Sequence, residues 1–256
     1  MVITSKDNQK IKLIRKVMTD KKARRETRLF VLEGARLARD AVNSGRVEVE
    51  EIFVSESFSK TNCVAFAHND ISIVADNVFD TITDTVNSQG VIALCRIPAN
   101  FFCGIRAKQT AAEKNIVLLD RVRDPGNVGA TIRTAAAAGW DSVICIDCAD
   151  PYSPKSVRAS MGGLLFVDII ETGYEIVDEL KMPIIAADMG GESVFDKSFD
   201  GKICLCIGSE ADGLSKKIKD KAAATVSIPM QNTESLNAAV SAGILMYALG
   251  GKAQKP

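Results

Sequence analysis

The sequence lacks several features that mark common classes of protein. Its single histidine, His68, stands alone, and we interpret it as a surface residue rather than a catalyst. The 32 basic and 32 acidic residues give no net charge, which argues against a nonspecific polyelectrolyte binder. No run of about eighteen apolar residues could span a bilayer, and the amino terminus lacks the basic-then-apolar order of a signal peptide. We therefore expect a cytoplasmic protein that does not bind a membrane.

The cysteine pattern offers little support for disulfide or metal chemistry. There are seven cysteines, an odd number, and most lie in apolar, strand-like runs such as residues 203–207. This usage indicates free, buried thiols. Cys145 and Cys148 form a C-x-x-C motif, but no second pair has zinc spacing, so metal or redox chemistry there is only a weak hypothesis. We expect no metal site.

The charged residues are unevenly distributed along the chain. Residues 1–30 contain ten Lys or Arg against three acidic residues, so this segment is +7 and the remainder is −7. After Thr4 and Ser5, which are good helix caps, apolar residues recur at helical spacing and predict an amphipathic basic helix: Ile11, Leu13, Ile14, Val17 and Met18. A lysine-rich run is often only a solvated face. The cluster that follows favours RNA binding instead: Lys21, Lys22, Arg24, Arg25 and Arg28.

The pattern of apolar runs predicts two α/β domains. Strands near 30–32, 51–55, 71–75 and 91–96, with a helix from about 34 to 44, form a small amino-terminal domain. A Pro-Ala-Asn turn at 98–100 and a polar stretch place the boundary near residue 105. In residues 106–256, strands at 115–119, 142–146, 183–187 and 203–207 alternate with helices, as in a largely parallel open sheet. Such sheets bind ligands in loops beyond the carboxyl ends of their strands.

Three of these loops contain unusual residues, and each is ambiguous by itself. Residues 120–129 lead into a helix with Thr131 and Arg133, but lack the glycine spacing of a dinucleotide site, so a plain strand-to-helix turn explains them. In residues 208–215, glycines flank Glu210, which could orient a cation or hydroxyl but is better explained as a cap of the following helix.

The third loop, residues 228–237, runs into an apolar helix. Core packing accounts for a predicted stripe on that helix: Leu236, Ala239, Val240, Gly243 and Tyr247. It does not account for Asn237, a polar residue that needs a backbone hydrogen bond or a ligand contact.

Taken together, the three loops resemble the motifs of the SpoU/TrmH branch of the SPOUT RNA methyltransferases. The matching residues are Asp124-Pro125-Gly126-Asn127-Val128-Gly129 with Arg133, then Ile207-Gly208-Ser209-Glu210 with Gly213-Leu214-Ser215, then Ile228-Pro229-Met230 with Ser235-Leu236-Asn237. The amino-terminal part resembles the family's accessory substrate-binding domain, which is similar to certain ribosomal proteins, at Ile3-Thr4-Ser5, Asn8, Ile11-Lys12 and residues 30–34. The match is much looser over residues 55–114.

This resemblance implies a fold and an activity. It implies a carboxyl-terminal α/β domain with a deep trefoil knot, an exception to the rule that chains rarely thread themselves. It implies transfer of a methyl group from S-adenosylmethionine to a ribose 2′-hydroxyl of structured RNA, with ribosomal RNA favoured over transfer RNA. It also implies a homodimer, because the family places Arg133 beside the donor bound by the other subunit.

Site residues follow from the same resemblance. Arg133 would activate the hydroxyl, with Asn127, Glu210, Ser235 and Asn237 shaping the site. The donor would contact Ile207, Gly208, Gly213, Ile228, Met230 and Leu236, partly through backbone groups. An arginine with an ordinary pKa of about 12 or more is a poor base. It therefore acts either with a lowered pKa or, as we favour, as a charge that stabilises the developing alkoxide.

One position departs from the family pattern, and two other functions stay open. Asn232 stands where the family usually has glycine. Because Asn tolerates positive φ, we expect the loop to keep its shape at a modest energetic cost, while tighter packing against the donor would weaken donor binding. A noncatalytic RNA-binding or assembly protein of the same fold is one alternative. A dinucleotide oxidoreductase is the other, although its fingerprint glycines are missing.

Overall fold

The computed structural model describes residues 2–62, 66, 70–85, 87–98 and 115–250. It divides the chain into two compact units, one from residues 1–99 with 152–158 and the other from residues 100–151 with 159–256. The inclusion of residues 152–158 in the first unit was not predicted. The boundary predicted near residue 105 lies outside the described residues and stays a prediction, and the same holds for the assignments of His68, Cys63 and Cys103.

The first unit is built around a mixed five-stranded sheet. Its strand order is β1-β4-β3-β5-β2, with β1, β4 and β3 parallel and β5 antiparallel to both β3 and β2. All the strands and the helix predicted here are present. The elements are β1 (Val2–Ile3), α1 (Gln9–Thr19), α2 (Lys21–Thr27), β2 (Leu29–Glu33), α3 (Ala35–Ser44), β3 (Val49–Ser55), α4 (Glu56–Asn62), β4 (Ile71–Val74), α5 (Asp76–Phe79) and β5 (Val91–Arg96).

The predicted basic helix is confirmed as α1, but its cap was predicted wrongly. Ile11, Ile14 and Val17 are fully buried, as the spacing required. The capping side chain is Asn8, which accepts a hydrogen bond from the backbone of Lys10 at 2.9 Å. Ser5 instead accepts from the backbone of Asp7, within the turn before the helix. Capping propensity alone could not decide between Ser5 and Asn8, because serine and asparagine are both preferred at helix caps.

One residue of the basic cluster has a structural role. Arg24 is buried and donates from Nη1 to the carbonyl oxygens of Val17 and Met18 at 2.6 and 3.1 Å. These carbonyls belong to the last turn of α1, where helix carbonyls have no partner within the helix. Arg24 therefore stabilises the end of α1 and is not part of an RNA-binding surface.

The second unit contains a six-stranded sheet that is entirely parallel; the parallel arrangement and four of the six strands were predicted. Its strand order is β11-β9-β10-β6-β7-β8. The elements are β6 (Ile116–Asp120), α6 (Pro125–Ala137), β7 (Ser142–Ile146), α7 (Pro154–Ser160, mostly grouped with the first unit), β8 (Asp168–Thr172), α8 (Ile176–Glu179), β9 (Ile184–Ser193), β10 (Cys204–Gly208), α9 (Lys216–Lys221), β11 (Ala224–Ser227) and α10 (Ala238–Leu249). The knot implied by the family resemblance stays a prediction.

The order of strands brings two of the singled-out loops together. Strand β6 pairs with β10, and their last residues, Asp120 and Gly208, are partners in the register. The loops that follow these two strands therefore start side by side at the carboxyl edge of the sheet, where parallel sheets bind ligands.

Helix α10 packs against α6, and the stripe predicted for it is mostly wrong, because Ala239 is its only buried member. Val240 and Tyr247 are 50% and 58% exposed, whereas Ala238, Ala239, Ala242, Leu245 and Met246 are buried. Because α10 is apolar on almost every side, periodicity could not identify its buried face. Trp140, which follows α6, is buried beside α10 and donates to the carbonyl of Met246 at 3.1 Å. Within the described parts of the chain, no helix combines the length and the apolar character that a membrane span requires.

Candidate active site

The start of α6 fixes the first of the site residues. Asp124 caps this helix and accepts a hydrogen bond from the backbone N–H of Asn127 at 2.9 Å. Pro125 occupies the first helical position, where its missing N–H is not needed. This tight cap places Asn127 in the first turn of α6, beside the carboxyl edge of the sheet.

Asn127, Glu210 and Asn237 form one hydrogen-bonded network. The Asn127 Nδ2 donates to Glu210 Oε1 at 2.6 Å, and the Asn237 Nδ2 donates to Asn127 Oδ1 at 2.9 Å. Glu210 Oε1 also accepts from the backbone N–H of Ala238 at 3.4 Å, at the positive end of α10. Three chain segments that are far apart in the sequence thus meet through side chains that the sequence had singled out.

The network corrects the interpretation of Glu210, and for Asn237 it bears out one of the two alternatives left open, the backbone hydrogen bond. Glu210 does not cap the following helix α9, whose cap position is Ser215. It lies instead at the start of α10. Asn237 is the cap of α10, and its Oδ1 accepts from the backbone of Ala239 and Val240 at 3.0 and 3.3 Å. A polar residue before this apolar helix is therefore explained by capping.

A cavity of about 290 Å³ opens beside this network. Ligand pockets in proteins typically measure about 300–1,000 Å³, so the space suits a small ligand. All six residues predicted to bind the donor line the cavity, together with Glu210 and Ser235: Ile207, Gly208, Gly213, Ile228, Met230 and Leu236. Asp188, after the buried part of β9, is the second carboxylate in the lining, and sequence reasoning missed it.

The loop over this cavity requires glycine at its first residue. Residues 208–215, here called the donor loop, fold back so that Ser209 and Gly213 pair as an isolated bridge. A Cβ on Gly208 would lie 2.2 Å from the carbonyl carbon of Gly213 and 2.4 Å from the nitrogen of Leu214. Gly213 has a φ of +62°, a conformation that glycine adopts without strain.

Arg133 lies apart from the cavity of its own chain. It is on α6, two turns after the cap, with an exposed side chain that does not line the cavity. The backbone of Arg133 is covered by Gly163, where a Cβ would approach the Arg133 Cα to 2.7 Å. The structure therefore brings together four of the five predicted catalytic residues and leaves the fifth facing outward.

The expectation for Asn232 was wrong in one respect. Asn232 is exposed and does not line the cavity. The non-glycine residues with positive φ within the described ranges are Arg28, Arg121, Asp147 and Met161. Asn232 therefore keeps an ordinary backbone conformation, and the loop does not depend on its tolerance of positive φ.

Sequence reasoning also missed a buried polar cluster at the base of the donor loop. Asp120 is completely buried and accepts hydrogen bonds from Tyr174, Arg121 and the backbone of Ser215. The adjacent carboxylate raises the pKa of the Arg121 guanidinium. Burial, and then the hydrogen bond to Asp120, raise the pKa of the Tyr174 hydroxyl, so it remains a donor at neutral pH. The sequence signal that could have indicated this cluster is Asp120, a carboxylate at the last position of the otherwise apolar strand β6.

The C-x-x-C motif belongs to no group of three or more potential metal ligands within the described residues. Cys145 is buried in β7, and Cys148 is partly exposed in the following turn. A hydrogen bond from Cys145 lowers the pKa of the Cys148 thiol, whereas burial raises the pKa of the Cys95 thiol to about 12.

We therefore expect Cys148 to react first with iodoacetamide among the five described cysteines at pH 8. Its thiolate fraction is raised by the lowered pKa, and thiolate is the reactive form. Peptide mass spectrometry at increasing times would measure the order of alkylation. Modification of any of the other four described cysteines before Cys148 would contradict this prediction.

Comparison with known proteins identifies the family. Residues 114–247 match the SpoU rRNA Methylase family, and residues 8–93 match the MRM3-like substrate binding domain. The chain belongs to the SpoU methylase family. Among its relatives, the 23S rRNA (guanosine(2553)-2′-O)-methyltransferase RlmP of Bacillus subtilis is 31% identical, over 97% of this chain and 99% of that protein. The 23S rRNA (uridine(2479)-2′-O)-methyltransferase of Streptomyces viridochromogenes is 34% identical over 61% of this chain and 58% of that protein.

Solved structures of SpoU proteins match nearly the whole chain. An AdoMet-bound rRNA methyltransferase from Sinorhizobium meliloti has a TM-score of 0.84 at 28% identity, covering 97% of this chain and 96% of that one. The SpoU methyltransferase AviRb from Streptomyces viridochromogenes, in complex with the cofactor AdoMet, has a TM-score of 0.81 at 27% identity, covering 94% and 97%. The enzyme class predicted from the sequence is confirmed: the protein is an RNA 2′-O-ribose methyltransferase that uses S-adenosylmethionine.

Proposed function

We propose that this SpoU protein methylates a ribose 2′-hydroxyl of ribosomal RNA, with S-adenosylmethionine bound in the cavity under the donor loop. The observation that carries the proposal is the convergence of three separated segments on one cavity, through the Asn127–Glu210–Asn237 network. The rRNA substrate is supported by the names of the relatives from Bacillus subtilis and Streptomyces viridochromogenes. Transfer RNA is the alternative substrate.

The cavity suits this donor because small and apolar residues surround it and leave backbone groups accessible. S-adenosylmethionine supplies a methyl group on a sulfonium, ready for attack by an oxygen. Gly208 and Gly213 allow close approach of the donor loop, and Ile228, Met230 and Leu236 form the facing wall. The contribution of the chain is to hold donor and ribose in a reactive alignment, which supplies much of the rate in such transfers.

In this proposal Arg133 activates the ribose hydroxyl. A charged guanidinium near the hydroxyl stabilises the negative charge that develops on oxygen as its proton leaves. The fixed network of Asn127, Glu210 and Asn237 shapes the site around it, and Ser235 contributes from the wall of the cavity. Arg133 is thus a charge stabiliser in this proposal, and RNA phosphate assists removal of the proton.

The active form in this proposal is a homodimer in which each site is completed by Arg133 of the other subunit. The outward position of Arg133 supports this arrangement. Exposed apolar side chains lie on or next to the elements that pack against α6: Val240 and Tyr247 on α10, and Met161 and Phe166 on either side of the turn at residues 163–165. A self-complementary interface with a twofold axis would cover these side chains.

Residues 1–105 form the accessory RNA-binding domain in this proposal, and residues 106–256 form the methyltransferase domain. The match of residues 8–93 to a substrate-binding family supports this division. The exposed cations Lys22, Arg25 and Arg28 supply salt-sensitive attraction for RNA phosphates. A cytoplasmic location is part of this proposal, and it is supported by the bacterial origin of the related rRNA methyltransferases.

Two measurements test the proposal. Calorimetry should detect S-adenosylmethionine binding to the purified protein without RNA. Mapping of ribose methylation should then find one nucleotide of 23S rRNA that is modified in the parent strain and unmodified in a strain lacking the protein. A missing nucleotide in transfer RNA would select the alternative substrate. Donor binding without any methylated RNA would favour the noncatalytic assembly protein, and absence of donor binding would end the proposal.

A further inference from the structure

The side chain of Asp120 is completely buried at the carboxyl edge of the sheet and is surrounded by hydrogen-bond partners. Oδ1 accepts from the Tyr174 hydroxyl at 2.6 Å and from Arg121 Nε at 3.2 Å, and Oδ2 accepts from the backbone N–H of Ser215 at 2.6 Å. A buried carboxylate is tolerated only when it is paired and hydrogen-bonded in this way. Asp120 therefore holds the last residue of the donor loop to the end of β6.

Arg121 holds the same loop at a second point. Its Nη2 donates to the carbonyl oxygen of Gly213 at 3.2 Å, and its Nη1 lies 3.7 Å from a carboxylate oxygen of Asp212. Arg121 reaches this position with a φ of +60°, a conformation that non-glycine residues rarely adopt. Strain of this kind persists only where surrounding contacts fix it, so the geometry of Arg121 is tied to the loop it contacts.

The loop fixed by these contacts belongs to the donor cavity. Gly208, Ser209, Glu210, Ala211 and Gly213 line the cavity, and Glu210 also connects the loop to α6 and α10. None of the three residues Asp120, Arg121 and Tyr174 lines the cavity. They can therefore influence the shape of the cavity through their contacts with the donor loop.

We propose that Asp120, Arg121 and Tyr174 form an anchor that sets the donor loop in its binding conformation before the donor arrives. They are positioning residues, and the proposal rests on donor binding in this cavity as proposed above. A loop that is already ordered does not have to be ordered by the ligand, so the anchor raises donor affinity without contacting the donor. If the loop is correctly shaped in only one tenth of the molecules, the apparent donor Kd rises about tenfold.

Arg121→Gln is the most direct test because it removes the contacts to Gly213 and Asp212 together with the ion pair to Asp120. The matched control is Arg123→Gln, two residues away in the same turn. Arg123 also forms an ion pair, with Asp147 at 3.1 Å, but its partner lies outside the donor loop. Donor Kd would be measured by calorimetry without RNA, and amide exchange of residues 209–215 would be measured in donor-free protein.

We expect Arg121→Gln to raise the donor Kd about tenfold and to speed amide exchange in the donor loop, while kcat at saturating donor stays near that of the wild type. Tyr174→Phe, which removes one hydrogen bond, should produce a smaller shift in the same direction. Arg121→Lys, which can keep one contact, should restore part of the affinity. Arg123→Gln should change neither measurement.

The outcomes separate this proposal from the one it rests on. If wild-type protein does not bind S-adenosylmethionine, the proposed function fails. If wild-type protein binds it and Arg121→Gln binds it equally well, the anchor is wrong. If Arg121→Gln lowers the melting temperature and the active fraction but leaves donor Kd and loop exchange unchanged, these residues stabilise the fold without positioning the donor loop, which also overturns the proposal.

Discussion

Replacing Arg133 with alanine should lower kcat for RNA methylation by about 10²- to 10³-fold, the loss typical for removal of one group that stabilises transition-state charge. Donor binding should change little, because in this proposal Arg133 acts on the ribose hydroxyl, whereas the donor is held by the residues that line the cavity, and Arg133 is not one of them. The expected pattern is thus loss of kcat with little change in donor Kd, which marks an interaction made mainly in the transition state. A radiolabelled methyl assay and calorimetry on the same preparation would measure both quantities.

Subunit mixing makes this prediction more specific. Arg133→Ala lacks the activating residue, and Gly208→Ala lacks a functional donor site. If each site combines the cavity of one subunit with Arg133 of the other, an equal mixture of the two inactive proteins contains mixed dimers with one intact site. Random exchange should then restore about a quarter of wild-type activity. No recovery after confirmed exchange would place Arg133 with its own cavity, and normal activity of Arg133→Ala alone would remove it from the mechanism.

The sheet and the three loops could be predicted because their signals are local. Strands β6, β7 and β10 are short apolar runs buried on both faces, and a polar residue directly follows each of them. The short strands β8 and β11 escaped prediction. Their sequences are only partly apolar, and they pair at the two edges of the sheet, where burial is less complete.

The contacts between distant segments could not be predicted from the residues alone. Nothing in the local pattern connects Asp120 to Tyr174 or Ser215, which follow it by 54 and 95 positions. The same is true of Asn127, Glu210 and Asn237, which were grouped only through family resemblance. The direction of Arg133 depends on which face of α6 is covered, and that is decided by tertiary packing.

Gly208→Ala should abolish measurable donor binding, with a rise in Kd of at least about 100-fold, because the added Cβ overlaps backbone atoms rather than a flexible side chain. It would meet the carbonyl carbon and oxygen of Gly213 at 2.2 and 2.5 Å and the nitrogen of Leu214 at 2.4 Å. The donor loop can avoid these contacts only by opening, which changes the cavity wall it forms. Overpacking of this kind also destabilises a fold by about 1–3 kcal/mol.

Gly243→Ala is the matched control for this substitution. Gly243 lies in α10, and its added Cβ would meet only the Thr134 methyl carbon, at 3.4 Å, which is an ordinary contact distance. Alanine in a helix is favoured over glycine by about 0.5–1 kcal/mol, so this variant should be as stable as the wild type or more so, with unchanged donor Kd. Unfolding would be followed by the fluorescence of Trp140, the single tryptophan, which is buried beside α10. If Gly208→Ala bound the donor as tightly as the wild type does, the donor would not use this loop. The loop cannot accommodate the alanine side chain and also keep the cavity wall described here.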